Sequence, residues 1–237
     1  MQLVRLAAAA TLGYLAGTAP SADVACRLAT DGRTDLRTVG SRNPGANNAI
    51  KLLGPRWGYG VMGADMAKGV LACSAGRAVA GGEGAHVAGV AAVVGHCFPV
   101  WNRFRGGKGV ATSVGQCAAT FPAWSVLDLL VAWAVAVLPW WRRRHLAATV
   151  VSSSVWVGAA TLWWRRGWPN LWGPRPTPAM PLAAAASSAV ILYRLATEPP
   201  PLQPPPPEPP PPPDAGDREP RVPVPAGPVR SAEVPLP

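Results

Sequence analysis

Residues 85–112 read AHVAGVAAVVGHCFPVWNRFRGGKGVAT, and their pattern indicates the fold class. An apolar run (85–101) ends in a short loop with three basic side chains, and a second apolar run begins directly after it. A helix satisfies its own backbone hydrogen bonds, which lipid cannot do. Apolar runs separated by short basic loops therefore predict a polytopic helical membrane protein.

The same pattern continues along most of the chain and predicts an all-α fold. About seven transmembrane or partly inserted helices are expected, at 3–29, 58–76, 85–101, 110–121, 123–139, 146–164 and 179–197. For the first segment a cleaved signal peptide is the alternative, because Arg5 precedes the apolar run and small residues follow it. A retained span is favoured because apolar character resumes at Val24, which gives enough length to cross.

Composition separates the chain into two parts. Only 14% of the residues are charged, against about 25% in soluble domains. Residues 199–237 hold 18 of the 29 prolines and a net charge of −2, whereas residues 1–198 carry +12. We predict a membrane domain (1–198) and a disordered proline-rich tail (199–237). A solvated spacer is favoured for the tail over a ligand of an SH3- or WW-like groove, and its partner is unspecified.

The basic residues lie in short loops, which argues against nucleic-acid binding and sets the orientation. The loops at 27–57, 102–109 and 142–144 are rich in Lys and Arg, whereas the loop near 77–84 carries only Arg77. This predicts a cytoplasmic-membrane protein with these loops and the tail inside. Three arginines conflict with it, because they would lie outside: Arg165, Arg166 and Arg175.

Three polar segments interrupt the apolar pattern, at 40–48 (GSRNPGANN), 65–69 (DMAKG) and 95–112. Glycines allow close approach of backbone N–H groups, and a helix beginning after Gly109 would point its positive end at an anion. The sequence therefore predicts an anion site. Its candidate substrate-binding residues are Ser41, Asn43, Asn48, Lys51, Gly106, Gly107 and Gly109, and its candidate catalytic residues are His96 and Lys108.

Asp65 and Lys68 are three residues apart and share a helix face. We expect a structural ion pair, with direct substrate contact as the alternative. His96 precedes the glycine-rich loop and either moves a proton or bonds to the loop. The His and Cys positions have no metal-ligand spacing, so they predict no metal site.

In these three segments the chain resembles the bacterial acyl-phosphate:glycerol-3-phosphate acyltransferases, the PlsY family. The family's hallmarks are a GSGNPGATN-type loop, a D-x-x-K-G helix and a G-H-x-F-P-x-F-x-x-F-K-G-G-K-G-V-A-T loop. Their counterparts here are Gly40–Asn48, Asp65–Gly69 and Gly95–Thr112, in the same order. Comparable positions cover about residues 10–197.

The resemblance implies a polytopic enzyme of the bacterial cytoplasmic membrane with its active site facing the cytoplasm. It implies acyl transfer from acyl phosphate to the 1-hydroxyl of glycerol 3-phosphate, which gives lysophosphatidic acid and phosphate in phospholipid biosynthesis, without a cofactor. Ser41 and Asn43 would bind phosphate, Lys51 would supply a basic group, and Lys108 would bind a phosphate. The resemblance also implies contact with membrane lipid, and it is compatible with either a monomer or a dimer.

Some positions depart from the family pattern. Arg42 and Asn47 replace a glycine and a threonine, and the segment after Arg144 lacks a serine of the family. The family often has R-H-x-x-N-I near its end, whereas Arg194 here is followed by LATEP. A catalytically weak or inactive paralogue that binds phospholipid precursors or regulates their synthesis is therefore an alternative. An anion transporter is a second one, which the scarcity of charges inside the spans disfavours.

Overall fold

The computed structural model describes residues 1–137 and 145–197, and the fold is built from helices. They are α1 (Gln2–Gly17), α2 (Ser21–Thr30), α3 (Ala46–Leu53), α4 (Pro55–Cys97), a 3-10 turn (Val100–Asn102), α5 (Val110–Thr120), α6 (Pro122–Val137), α7 (His145–Arg166) and α8 (Ala179–Ala196). No β-strand occurs in the described residues. The prediction of an all-α fold is confirmed for the described residues. The predicted tail (199–237) and the 142–144 turn lie outside them.

Helix α4 is a hairpin, and it forms the centre of the bundle. Its helical geometry is interrupted at Ala80 (φ −135°, ψ 19°) and Gly81 (φ 70°, ψ −154°), and glycine adopts the positive φ without strain. The two halves fold back so tightly that a Cβ on Gly76 would meet the backbone of Gly84. The two segments predicted at 58–76 and 85–101 are therefore the arms of one folded helix.

The first apolar segment differs from its prediction. A single helix was expected over 3–29, but the structure breaks it into α1 and α2 at Thr18–Pro20. Proline lacks an N–H group and cannot continue a helical ladder. This break matters for the site, because it brings Ser21 and Asp23 to one end of the bundle.

Helix α1 packs on the second arm of α4 through small residues. A Cβ on Gly13 would meet the backbone of Ala88, and one on Gly17 would meet the backbone of Ala92. Gly13 and Gly17 are four residues apart, as are Ala88 and Ala92, so each helix presents two small residues on one face. This small-xxx-small arrangement lets helix backbones approach closely.

Replacing Gly17 with valine should therefore destabilise the fold. The new side chain would strike backbone atoms, which do not rotate away, and overpacking of this kind costs about 1–3 kcal/mol. Thermal unfolding of the purified protein in detergent would show a lower midpoint. Gly63→Val is the matched control, because a Cβ at that helical glycine meets nothing within 4 Å. Equal midpoints for the two variants would contradict the packing argument.

Helix α5 packs on the first arm of α4, and helix α8 packs on the second arm. A Cβ on Gly69 would meet the backbone of Thr112 in α5, and one on Gly115 would meet Met66. Helix α8 contributes Ile191, which packs with Val93 and Cys97 of α4. Two segments in the described residues are long and apolar enough to cross a membrane, Pro55–Asn102 and Ala179–Ala196.

Candidate active site

The three polar segments converge at one end of the bundle. They line a single narrow pocket, to which the first contributes Pro44, the second Lys68 and the third His96, Gly106 and Gly107. The third segment also contributes Asn102, the break after α1 adds Ser21 and Asp23, and the loop before α3 adds Arg37. The pocket is thus built from residues that lie far apart in the sequence.

Asp65 is the centre of a buried polar cluster. Only 2% of its surface is exposed, and its Oδ1 accepts hydrogen bonds from Lys68 Nζ at 2.7 Å and from Ser21 Oγ at 2.5 Å. Lys68 also donates to Ser21 Oγ at 3.1 Å, and His96 Nδ1 lies 3.6 Å from Asp65 Oδ1. The cluster joins α2 to both arms of the α4 hairpin.

The structure places Asp65 and Lys68 in contact, as an ion pair requires. Lys68 is 7% exposed and lines the pocket, whereas Asp65 is not among the lining residues. Buried charges need hydrogen-bonding partners of this kind. The geometry therefore accommodates both the structural role predicted for Lys68 and its alternative, a direct contact with substrate.

The glycine-rich loop is folded against His96, and its amides point inward. The N–H of Gly106 donates to the carbonyl of Cys97, and the N–H of Gly107 donates to the carbonyl of His96, each at 3.1 Å. These two amides are used inside the protein, in contrast to the expectation that they face an anion. The glycines are needed for close packing, since Cβ atoms would strike the His96 backbone and its Nε2.

Lys108 and Gly109 continue this loop into α5. Gly109 has φ 84°, which favours glycine, and it precedes the first residue of α5, Val110. The first N–H groups of a helix lack partners within that helix, and they carry its positive end. The half-buried Lys108 therefore lies beside a helix N-terminus, but neither Lys108 nor Gly109 is among the residues that line the pocket, so their contact with substrate remains a prediction.

In the first polar segment, the structure gives Asn48 a different position from the one predicted. Its side chain is 2% exposed, and its amide donates to the carbonyls of Leu36 at 3.0 Å and Val39 at 3.1 Å. Its Oδ1 accepts the N–H of Ser41 at 3.1 Å. Asn48 thus holds the loop together and does not face the pocket, so its contribution to substrate binding is indirect.

Three other predicted ligands are not among the residues that line the pocket: Ser41, Asn43 and Lys51. Ser41 and Asn43 are half-buried in the loop that carries Pro44 to the pocket. Lys51 is exposed in the last turn of α3, and it is not among the residues that line the pocket. Their roles as substrate ligands remain predictions.

A second polar cluster, not predicted from the sequence, joins the loops at the pocket mouth. Arg37 makes an ion pair with Asp23, and its Nε donates to the carbonyl of Arg105 at 2.9 Å. Asn102 also donates to Asp23, at 2.9 Å. Burial raises the pKa of Asp23, but hydrogen bonds from Arg37 and Asn102 and the charge of Arg37 outweigh it, so the pKa lies below its ordinary 3.8.

Acid should therefore weaken this cluster. The unfolded chain binds the proton more readily, so Asp23 contributes its full stability above pH 3.8, and this is lost as the pH falls through the lower, folded pKa. The difference in thermal midpoint between the wild type and Asp23→Asn should stay constant from about pH 7 to pH 5 and shrink below about pH 4. A difference that stays unchanged to about pH 3 would contradict the assignment.

Arg194 near the end of α8 is the other contact that sequence reasoning missed. Its guanidinium donates to the carbonyls of Gly106 at 2.8 Å and Gly107 at 3.2 Å. It also lies over the ring of Phe98, 5.4 Å from the centroid. The sequence does show a basic residue ending the last apolar helix, which is the signal that could have pointed to it.

The tightly packed helices of the described residues and the pocket at their end, which holds Arg37 and Lys68 beside their acidic partners, define an all-helical bundle with a candidate site for a polar ligand. The chain belongs to the glycerol-3-phosphate acyltransferase family, since the family model described as "Glycerol-3-phosphate acyltransferase" matches residues 7–199. The resemblance identified from the three polar segments is thereby confirmed.

Individual relatives agree with this family. A glycerol-3-phosphate acyltransferase from Jannaschia sp. (strain CCS1) is 39% identical over 154 residues, which is 65% of this chain and 73% of that protein. The protein from Thermoanaerobacter pseudethanolicus (strain ATCC 33223 / 39E) is 38% identical over 54% of this chain and 64% of its own length. Glycerol-3-phosphate acyltransferase 4 of Dehalococcoides mccartyi (strain ATCC BAA-2266 / KCTC 15142 / 195) is 48% identical over 44% and 56%. The match thus covers less than two thirds of the latter two relatives.

A solved structure has a similar fold. It is the glycerol 3-phosphate form of PlsY (YgiH), described as an integral membrane glycerol 3-phosphate acyltransferase. The TM-score is 0.62 at 28% sequence identity, over 80% of this chain and 88% of that one. The lysophosphatidic acid form of the same protein matches with a TM-score of 0.59 at 26% identity.

Proposed function

We propose that this chain is an integral membrane enzyme that transfers a fatty acyl group from acyl phosphate to the 1-hydroxyl of glycerol 3-phosphate. The observation that carries the proposal is the convergence of Pro44, Lys68, His96, Gly106 and Gly107 on one pocket. These residues come from the three segments in which the chain resembles the family. The solved relative is described with glycerol 3-phosphate in one form and lysophosphatidic acid in the other, which supports the substrate and the product.

The reaction needs positioning and charge stabilisation more than a covalent nucleophile. The 1-hydroxyl oxygen attacks the acyl carbon, the bond from that carbon to the phosphate oxygen breaks, and phosphate leaves with the electron pair. The hydroxyl proton goes to the departing phosphate, so lysophosphatidic acid and phosphate are the products. Lys108 and the N-terminus of α5 stabilise the phosphate charge. Alignment of the two substrates contributes as much as ~7–11 kcal/mol in favourable cases.

His96 has an organising role in this proposal. Its Nδ1 side faces Asp65, and its Nε2 side faces Gly107, so the imidazole lies between the buried cluster and the glycine-rich loop. The leaving phosphate is itself a base, so proton transfer does not require the histidine. His96 thus fixes the position of the glycine-rich loop relative to the α4 hairpin.

The membrane arrangement proposed has seven spans within residues 1–198 and the pocket on the cytoplasmic side. α1, the two arms of α4, and α5 to α8 supply the spans, while α2 lies at the membrane surface. The basic residues near the pocket support this orientation. Arg77 donates to the carbonyl of Trp172 at 2.7 Å, so the arginine-rich loop after α7 adjoins the turn of the hairpin, away from the pocket.

Purified protein in detergent, mixed with acyl phosphate and glycerol 3-phosphate, should release phosphate and form lysophosphatidic acid. Omitting glycerol 3-phosphate should stop the release, and replacing acyl phosphate by acyl-CoA should give no product. In the cellular test, expression of this chain should restore the growth of a strain that lacks its own acyltransferase of this kind. Absence of phosphate release with retained glycerol 3-phosphate binding would favour the inactive paralogue. The specific observation for it is that Leu195 and Glu198 stand where the family has its histidine and asparagine after Arg194.

A further inference from the structure

The glycine-rich loop is held from both of its edges. Along one edge, the N–H groups of Gly106 and Gly107 donate to the carbonyls that end the second arm of α4. Along the other edge, their carbonyls accept hydrogen bonds from the guanidinium of Arg194. The loop is therefore fixed between α4 and α8, immediately before Lys108.

The guanidinium is itself fixed in place. Arg194 is half-buried, and its planar group lies over Phe98, which follows α4 directly. The next residue, Leu195, packs in the cluster of Val93, Cys97 and Ile191 that joins α8 to α4. Phe98 and α8 are both anchored, so the position of α8 determines where Arg194 holds the loop.

We infer that Arg194 is a positioning residue for the phosphate-binding loop. It acts through the loop and not on the substrate: by holding two consecutive carbonyls, it fixes where Lys108 and the first amides of α5 lie. The inference rests on the proposed function, and it deepens it by assigning a role to the end of α8. At this end the chain lacks the family's histidine and asparagine, and Arg194 is the basic residue in the last turn.

The chemistry of the side chain explains why arginine suits this position. A guanidinium presents several N–H donors in a rigid plane, so one side chain reaches two neighbouring carbonyls. A lysine ammonium is a compact point charge on a flexible stem and lacks this planar fork. Hydrogen bonds from charged donors are also stronger than neutral ones, so their loss should loosen the loop.

Three variants test the assignment: Arg194→Ala, Arg194→Lys and, as a matched control, Arg5→Ala, whose side chain is exposed on α1. Arg194→Ala should lower kcat/KM for glycerol 3-phosphate about 10- to 100-fold. This is the scale of one charge-assisted hydrogen bond and not of two, because the N–H groups of Gly106 and Gly107 still hold the other edge of the loop. Arg194→Lys should recover only part of the activity, and added methylguanidinium should rescue the alanine variant. Arg5→Ala should behave as wild type.

Rates are compared per folded protein, with thermal midpoints measured in parallel, so that a purely structural role is recognised. A wild-type kcat/KM in Arg194→Ala would overturn the inference, and so would a loss of activity proportional to the unfolded fraction without rescue by methylguanidinium.

Direct binding of inorganic phosphate to the purified protein separates this inference from the proposed function. If the wild type binds phosphate but transfers no acyl group, the proposed function fails, and weaker phosphate binding by Arg194→Ala still supports the inference. Equal phosphate affinities in the wild type and Arg194→Ala would overturn it. Failure of the wild type to bind phosphate would overturn both proposals, since the loop would then position nothing.

Discussion

Replacing Lys108 with alanine should reduce the rate of acyl transfer by about 100- to 1,000-fold. This loss is typical of removing one group that stabilises charge in the transition state. The side chain is half-buried beside the N-terminus of α5, where the leaving phosphate is proposed to lie. The thermal midpoint is measured in parallel, so that a loss of folded protein is distinguished from a loss of turnover. Phosphate release from acyl phosphate and glycerol 3-phosphate is the measurement.

Two further variants make the Lys108 result specific. Arg105→Ala removes an exposed cation from the same loop and should leave turnover close to wild type. Lys108→Arg should restore little, because the two cations differ in geometry and hydration. Wild-type turnover in Lys108→Ala would refute the proposed role of this residue.

Replacing Asp65 with alanine should destabilise the protein by about 3–5 kcal/mol, the usual cost of leaving one partner of a buried ion pair uncompensated. Asp65 Oδ1 accepts from both Lys68 and Ser21, so removal of the carboxylate leaves a buried ammonium without its counter-charge. Denaturant or thermal unfolding in detergent would show the loss.

A double-mutant cycle tests whether the charge is the cause. Asp65→Ala combined with Lys68→Ala should recover part of the stability, because the uncompensated charge is then gone. Glu83→Ala is the matched control, since Glu83 is an exposed acid on the same helix. A double variant no more stable than Asp65→Ala would show that the cavity, and not the charge, causes the loss.

Local pattern was enough to predict the helices and the three segments that meet at the pocket. Apolar runs and prolines mark helix bodies and breaks, which is why the boundary at Pro122 and the helix after Gly109 could be predicted. The break at Pro20 was missed because apolar residues continue beyond it. The seven spans, the orientation and the substrate contacts of Ser41, Asn43 and Lys51 remain predictions.

The contacts that set the site geometry could not be predicted from spacing. Arg194 and Gly106 are 88 positions apart, and Asn102 and Asp23 are 79 apart. Polar residues in one loop look equivalent in a sequence, so the inward-facing amide of Asn48 could not be distinguished from the side chains near it. Such assignments depend on which carbonyl a side chain meets, and tertiary packing alone decides that.

The sharp turn at Ala80 and Gly81 makes the α4 hairpin intolerant of length changes. One residue inserted between Asp65 and the turn would rotate everything on one side of it by about 100°, since a helix has 3.6 residues per turn. Asp65 and His96 would then point in different directions. Insertions between Asp65 and the turn should therefore disrupt the buried cluster, because the number of residues between Asp65 and His96 determines whether the two side chains meet.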